Sequence, residues 1–263
     1  MKDSEIPLRE VPERTFLFLL GLVNAVGGIT LAWVLSRRTH DAIGPFSVAL
    51  CALGLVAVTK ALFERHRDQS WHGKGAEGAS TELGLDLLSV QLGIFVGFQL
   101  LAAILPRPLV EELFGFQMRG IFAHRFLASG PTASIFASVL LSGFSVACVT
   151  LLLGAVYKEG GIALALAWNG SLLGVAMVQI VRLPGIRPVQ VLCLLASLLA
   201  AALAYHAAGM VGLFLSRGAQ KYRVRSVEFH GIARTALLLY GTLVALVLAS
   251  AAFTALAGPV LAR

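Results

Sequence analysis

The sequence predicts an all-α, polytopic membrane protein with about seven transmembrane helices and one amphipathic helix lying in the interface. Of its 263 residues, 57% are hydrophobic and only 13% are charged, which is far more apolar than an average soluble domain. Seven long runs contain no Asp, Glu, Lys or Arg. The connections between these runs are too short to bury an independent soluble core, so we expect one integrated membrane domain.

Each of the seven runs has about 18 residues or more, which is enough for a helix to cross the hydrocarbon core. Lipid offers no partner to unpaired backbone groups, so the runs are expected to be helical. Six crossings are the nearest alternative, and the first run is too long for a cleaved signal peptide. The runs cover residues 15–36, 42–59, 87–105, 131–157, 160–181, 188–216 and 235–262.

The distribution of Lys and Arg predicts the orientation in the membrane. With seven crossings, one set of alternate connections, which includes the N-terminus, carries thirteen of these residues and the other set carries eight. Cytoplasmic loops carry the excess of positive residues. We therefore expect a multi-pass protein of the inner (cytoplasmic) membrane with a cytoplasmic N-terminus, although Arg37 and Arg38 oppose this assignment.

The connection between Pro106 and Pro131 has the pattern of an amphipathic helix. Its Arg107, Arg119 and Arg125 are placed to meet anionic headgroups if the helix lies in the interface. A packed connecting helix without a lipid role is the equal alternative. The apolar residues that recur near helical spacing are Val110, Leu113, Phe114, Met118, Ile121, Phe122 and Phe126.

Only Lys158, Glu159 and Gly160 separate the fourth run from the fifth. So short a connection predicts a tight antiparallel hairpin, whose interface we expect to use glycines. Gly170 and Gly174 form a small-xxx-small pair in the fifth run, and residues 93 and 97 form another such glycine pair in the third. Small residues of this kind let helix backbones approach closely in lipid.

Few side chains in these runs suggest chemistry. The runs contain no fixed charge, and His206 is their only group that titrates near neutral pH. A proton-coupled pump or a metal transporter needs several such groups along its pathway. Asn169 lies in the middle of the fifth run, and we expect its amide to bond a neighbouring helix. The sequence therefore predicts no metal, no cofactor and no nucleic-acid partner.

Two enzyme signatures are present only in incomplete form. Glu111 and Glu112 precede Arg119, as in CAAX-type intramembrane proteases, but the separation of seven positions from Glu112 to Arg119 is too long. Ser171 precedes His206, as in intramembrane serine proteases, but lacks the Gly-x-Ser-x-Gly setting. No catalytic residue is predicted.

Three segments resemble the stage II sporulation protein M family of bacterial and archaeal multi-spanning membrane proteins. In the segment LLLGAVYKEGGIALALAWNGSLLG, a span leads through a short turn to an Asn-Gly-x-x-x-Gly helix, formed here by Asn169, Gly170 and Gly174. This match is the most specific of the three.

The other two segments match less completely. AYHAAGMVGLFLSRGAQ supplies His206, Gly209 and Gly212, and SAAFTALAGP supplies Pro259. Met210 and Thr254 occupy positions at which the family has glutamates.

The resemblance covers residues 133–259 and implies two portions. Residues 1–130 would be an added N-terminal portion with three spans and the interfacial helix, and residues 131–263 a family-like four-helix portion. It implies a non-enzymatic scaffold or assembly subunit that acts through other membrane or cell-envelope proteins, with a homo-oligomer left open. The alternative is a permease-like subunit that pairs with a separate cytoplasmic ATPase through residues 217–234.

Overall fold

The computed structural model describes residues 14–35, 43–72, 76–121, 131–183, 185–223 and 225–258. Within these ranges the chain forms seven α-helices and no strand, which confirms the all-α class. All except α4 are long and apolar enough to cross a membrane, so the chain is a multi-pass helical membrane protein by the length and composition of its helices. The helices are α1 (Arg14–Leu35), α2 (Ile43–His72), α3 (Ala76–Ile104), α4 (Arg107–Ile121), α5 (Thr132–Val181), α6 (Pro188–Lys221) and α7 (Val227–Ala257).

The 50-residue helix α5 is interrupted at Lys158, whose φ of 53° and ψ of −123° are not helical. A Cβ atom at Gly161 would collide with the carbonyl oxygen of Leu153, eight residues earlier. In a straight helix these residues would be about 12 Å apart. The chain therefore reverses at Lys158, and the predicted hairpin is present, with a first arm (residues 132–157) and a second arm (residues 159–181).

The second arm is the central helix of the bundle, with buried residues on every side. Small side chains make this possible, because they let neighbouring helices approach closely. The first arm buries only one face, which carries Ile135, Val139, Gly143 and Ala147. The buried residues of the second arm are Gly161, Ile162, Ala163, Ala165, Leu166, Ala167, Asn169, Gly170, Ser171, Gly174, Val175, Ala176, Gln179 and Ile180.

Contacts between helices define two ends of the bundle. At the first, which we call the Arg14 end, Arg14 of α1 meets Asp86 of α3, and the hairpin tip meets α2 and α6 through Glu159. At the opposite end, which we call the Arg182 end, the guanidinium of Arg182 donates to the carbonyls of Ala103 and Leu105 at the end of α3. The second arm and α3 therefore run in the same direction.

Helix α4 covers part of the Arg182 end. Val110 and Phe114 are fully buried, and the Phe114 ring meets the edge of Phe98 in α3. Arg107 pairs with Glu111 at 2.7 Å on the exposed side. The predicted amphipathic helix thus has an apolar face that packs on the bundle. The side chains at positions 118, 119 and 121, and residues 122, 125 and 126, lie outside the described part.

Several predicted boundaries are wrong. Helix α2 continues past Lys60 to His72, and the apolar part of α3 begins at Glu82 instead of residue 87. Helix α6 continues past residue 216 to Lys221, and the apolar part of α7 begins at Phe229 instead of residue 235. Lys60 lies inside α2, where its exposed side chain pairs with Glu64 one turn later. Asp86 therefore lies within an apolar crossing segment, contrary to the prediction that these segments carry no charge.

One hydrophobic core extends through both predicted portions of the chain. The main cluster contains Leu17, Leu55 and Phe98 from the first portion together with Leu166 and Met210 from the second. The core residues of the two portions pack together as one continuous cluster.

Candidate functional site

Two glycines of the resemblance, Gly209 and Gly212, join α6 to the first arm. A Cβ atom at Gly212 would collide with the carbonyl oxygen of Leu151, and one at Gly154 would collide with that of Gly209. These backbones touch because neither helix carries a side chain at the crossing. Gly209 also lies near the second arm, because a Cβ atom at Gly209 would be 3.8 Å from the side chain of Ile162.

Gly170 and Gly174 face α3 and not the first arm, so the expected hairpin interface through this pair is wrong. A Cβ atom at Gly170 would lie 2.8 Å from the Ile94 side chain, and one at Gly174 would meet the backbone of Phe95. The hairpin itself closes through Gly161. The pair at positions 93 and 97 does allow a close approach as predicted, with α1 as its partner.

Asn169 and His206 lie at nearly the same depth on neighbouring helices. Ile162 is opposite Gly209, and Ile180 clusters with Leu194 and Leu198, so the second arm and α6 are antiparallel. This register places Asn169 opposite residues 202–205, within about one helical turn of His206.

Asn169 is buried in the bundle, and His206 is partly buried. Asn169 is 3% exposed and lies seven residues after Ile162, on the face directed at α6. His206 precedes Met210 and Leu213, two core residues, by four and seven positions and so shares their face. Its Nε2 atom is buried and has no hydrogen-bond partner within the described ranges. A polar pair at this depth can hold two helices in register or bind a polar group.

Most residues that carry the family resemblance lie on the second arm or pack against it. Asn169, Gly170 and Gly174 lie on the second arm, and Gly209 packs against both arms of the hairpin. Pro259 lies outside the described residues.

A buried ionic cluster at the Arg14 end escaped the sequence analysis. Asp86 accepts hydrogen bonds from Arg14 Nε at 3.2 Å and pairs with His66 Nε2 at 3.0 Å. His66 and Asp86 are both buried, whereas the Arg14 side chain is 54% exposed. The cluster connects α1, α2 and α3. His206 is therefore not the only titratable group within the crossing segments.

A second ion pair at this end fastens the hairpin tip. Glu159 pairs with Arg217 of α6, whose guanidinium carbon lies 4.4 Å from the centre of the Phe63 ring. The hydroxyl of Thr59 donates to the carbonyl of Glu159 at 3.2 Å. A guanidinium over an aromatic face is attractive in a partly desolvated setting. Helix α2 thus contacts the tip directly through Thr59, and it contacts Arg217, the α6 partner of the tip, through Phe63.

One signal in the sequence would have indicated which side chains of α2 take part in these contacts. Thr59, Phe63 and His66 are spaced by four and three residues, which places them on one face of a helix. That pattern continues α2 past Lys60 and puts His66 on its inner side. The partners Asp86 and Glu159 follow only from the tertiary fold.

The described His, Cys, Asp and Glu side chains do not form a metal-binding group. Among the described residues, no group of three or more His, Cys, Asp or Glu side chains is placed to hold one. The described cysteines are free thiols at positions 51, 148 and 193. The polar groups of the site are instead suited to hydrogen bonds and ion pairs between helices.

Comparison with known proteins returned no match. No protein-family model, no curated protein and no solved structure is significantly similar to this chain.

Proposed function

We propose that this chain is a non-enzymatic scaffold or assembly subunit of the inner membrane, of the stage II sporulation protein M kind. The observation that supports this proposal is that the motif residues lie at contacts between helices. Gly170, Gly174 and Gly212 bring helices together, and Asn169 and His206 occupy the same level between two of them. Residues that pack helices give a rigid frame on which partner membrane proteins assemble.

The proposed topology has seven crossings, with the Arg14 end in the cytoplasm. The reversal at Lys158 supports the count, because each arm of α5 is long enough to cross by itself. The Arg14 end also holds the α6–α7 connection, which adds to its excess of Lys and Arg.

Cysteine labelling in intact cells tests this topology. The native cysteines at positions 51, 148 and 193 are replaced, and single cysteines are introduced as Lys158→Cys and Arg187→Cys. A membrane-impermeant maleimide should label position 187 in intact cells and position 158 only after permeabilisation. Labelling of both positions from the same side would contradict seven crossings.

Identification of bound partners tests the scaffold. The tagged protein is purified from its native membrane in mild detergent, and retained proteins are identified by mass spectrometry against a similarly tagged, unrelated multi-pass protein. We expect cell-envelope enzymes or other membrane scaffolds. An ATPase in stoichiometric amount would favour the permease-like alternative, and a chain that alone hydrolyses peptide, lipid or peptidoglycan would contradict a non-enzymatic role.

A further inference from the structure

The α6–α7 connection concentrates positive charge at the Arg14 end. Residues 217–234 contain five Lys and Arg residues against one carboxylate, Glu228. Three of these cations, Lys221, Arg223 and Arg225, lie within five positions, and all three are exposed. We call these three residues the basic connection.

The carboxylate that meets α6 at this end is already engaged. Glu159 pairs with Arg217, and both side chains are largely buried, so the pair is set back from the surface. Neither Arg223 nor Arg225 has an ion-pair partner among the described residues. Both guanidinium groups are exposed, so an external anion can approach them.

The ends of α6 and α7 fix the depth of these cations. A Cβ at Gly218 would lie 3.1 Å from the Ile232 side chain, so the two helices are in close contact just before the connection. Lys221 Nζ lies 5.4 Å from the centre of the Tyr222 ring. Tyrosine is enriched at the level of lipid headgroups. The connection is too short to carry its charges far from that level.

We propose that the basic connection binds the phosphate of anionic phospholipid headgroups. A guanidinium offers two parallel N–H donors to a phosphate, and Arg223 and Arg225 provide two such forks beside the Lys221 ammonium. Each cation near an anionic membrane surface contributes about 1 kcal/mol to binding. An acidic protein segment would need to reach the same depth at the membrane surface, which favours lipid as the occupant.

Native mass spectrometry of the full chain tests the proposal, with phosphatidylglycerol or cardiolipin titrated into zwitterionic micelles. The double variant R223Q/R225Q should bind these lipids roughly thirtyfold more weakly, from about 1 kcal/mol for each cation. The matched control K60Q/R187Q removes two exposed cations outside the basic connection and should bind like the unaltered protein. Thermal unfolding of both variants checks that the fold is retained.

Three outcomes would overturn the proposal. Unchanged lipid affinity in R223Q/R225Q shows that the connection is not the site, and an equal loss in both double variants shows only a general charge effect. If R223Q/R225Q keeps its lipids but loses a co-purifying acidic protein, the connection is a protein-docking surface and the lipid proposal is wrong.

Discussion

Gly212 of α6 lies so close to Leu151 of the first arm that a Cβ on the glycine would collide with the leucine carbonyl oxygen. The contact is between backbones, so a side chain can be accommodated only if the helices separate. Gly212→Val should therefore lower the free energy of unfolding by about 1–3 kcal/mol, the usual cost of overpacking.

Gly241→Val is the matched control for this prediction. Gly241 lies on the exposed side of α7, and a Cβ there would meet nothing within 4 Å. Unfolding in detergent, followed by circular dichroism, should show a clear loss for the first variant and little change for the second. Equal stability of the two variants would mean that α6 and the first arm are not packed as described.

Loss of the Asp86 charge should destabilise the three N-terminal helices. Asp86→Asn removes the ion pair to Arg14 and weakens the hydrogen bond to the buried His66, at a cost of about 1–3 kcal/mol. The matched control is Glu82→Gln. Glu82 lies one turn earlier at an exposed position of α3, and its carboxylate has no ion-pair partner among the described residues. Denaturant titration should separate the two variants, and an equal effect would argue against a structural role for Asp86.

Lys158→Gly should stabilise the protein. Lys158 has a φ of 53°, a conformation that glycine adopts without steric cost and other residues adopt at about 1 kcal/mol or more. The variant Lys158→Ala removes the same side chain but keeps the Cβ, so it should show no gain. A higher melting temperature for glycine alone supports the described turn, whereas equal melting of both variants contradicts it.

Co-expressed fragments should reassemble. If the chain is divided between residues 122 and 130, Gly170 and Gly174 of the second fragment should still pack against α3 of the first fragment. Affinity purification of one tagged fragment should recover the other. Gly174→Val should reduce this recovery and Gly241→Val should not, and fragments that never associate would show that the core shared by the two portions is weak.

Asn169 and His206 should be energetically coupled. Their shared depth predicts an interaction of about 0.6–1.7 kcal/mol, the range of hydrogen bonds between membrane helices. A double-mutant cycle with N169A and H206A measures this term. Asn24, whose amide bonds Leu20 in its own helix, provides the control cycle of N24A with H206A, which should be additive. Additivity in both cycles would show that Asn169 and His206 do not interact.

Hydropathy alone predicted the helical class and the hairpin, because long apolar runs and a three-residue connection have few alternative structures in lipid. The limits of α2, α3 and α7 were not predicted, since the charged residues Lys60, Asp86 and Arg234 lie inside these helices and interrupt the apolar runs that hydropathy detects. The ion pairs of Asp86 and Glu159 join residues far apart in sequence, and periodicity within a single helix carries no information about them.

The glycine pairs illustrate the same limit. Their spacing correctly indicated close helix contacts, but the pair at Gly170 and Gly174 was assigned to the wrong neighbour. Small residues indicate that another helix backbone approaches closely, but they do not indicate which helix it belongs to. The choice of α3 depends on how the first three helices surround the second arm, and that arrangement is not encoded within either segment alone.

The burial of the second arm on all sides has a consequence for biogenesis. The ribosome completes α1, α2 and α3 before the second arm emerges, so the surface of α3 that receives Gly170 and Gly174 already exists when that arm is made. The second arm is made directly after the first arm, which exposes large apolar side chains such as those of Leu141, Leu152 and Val156. We expect this order of synthesis to shorten the time for which the buried polar groups of the second arm face acyl chains.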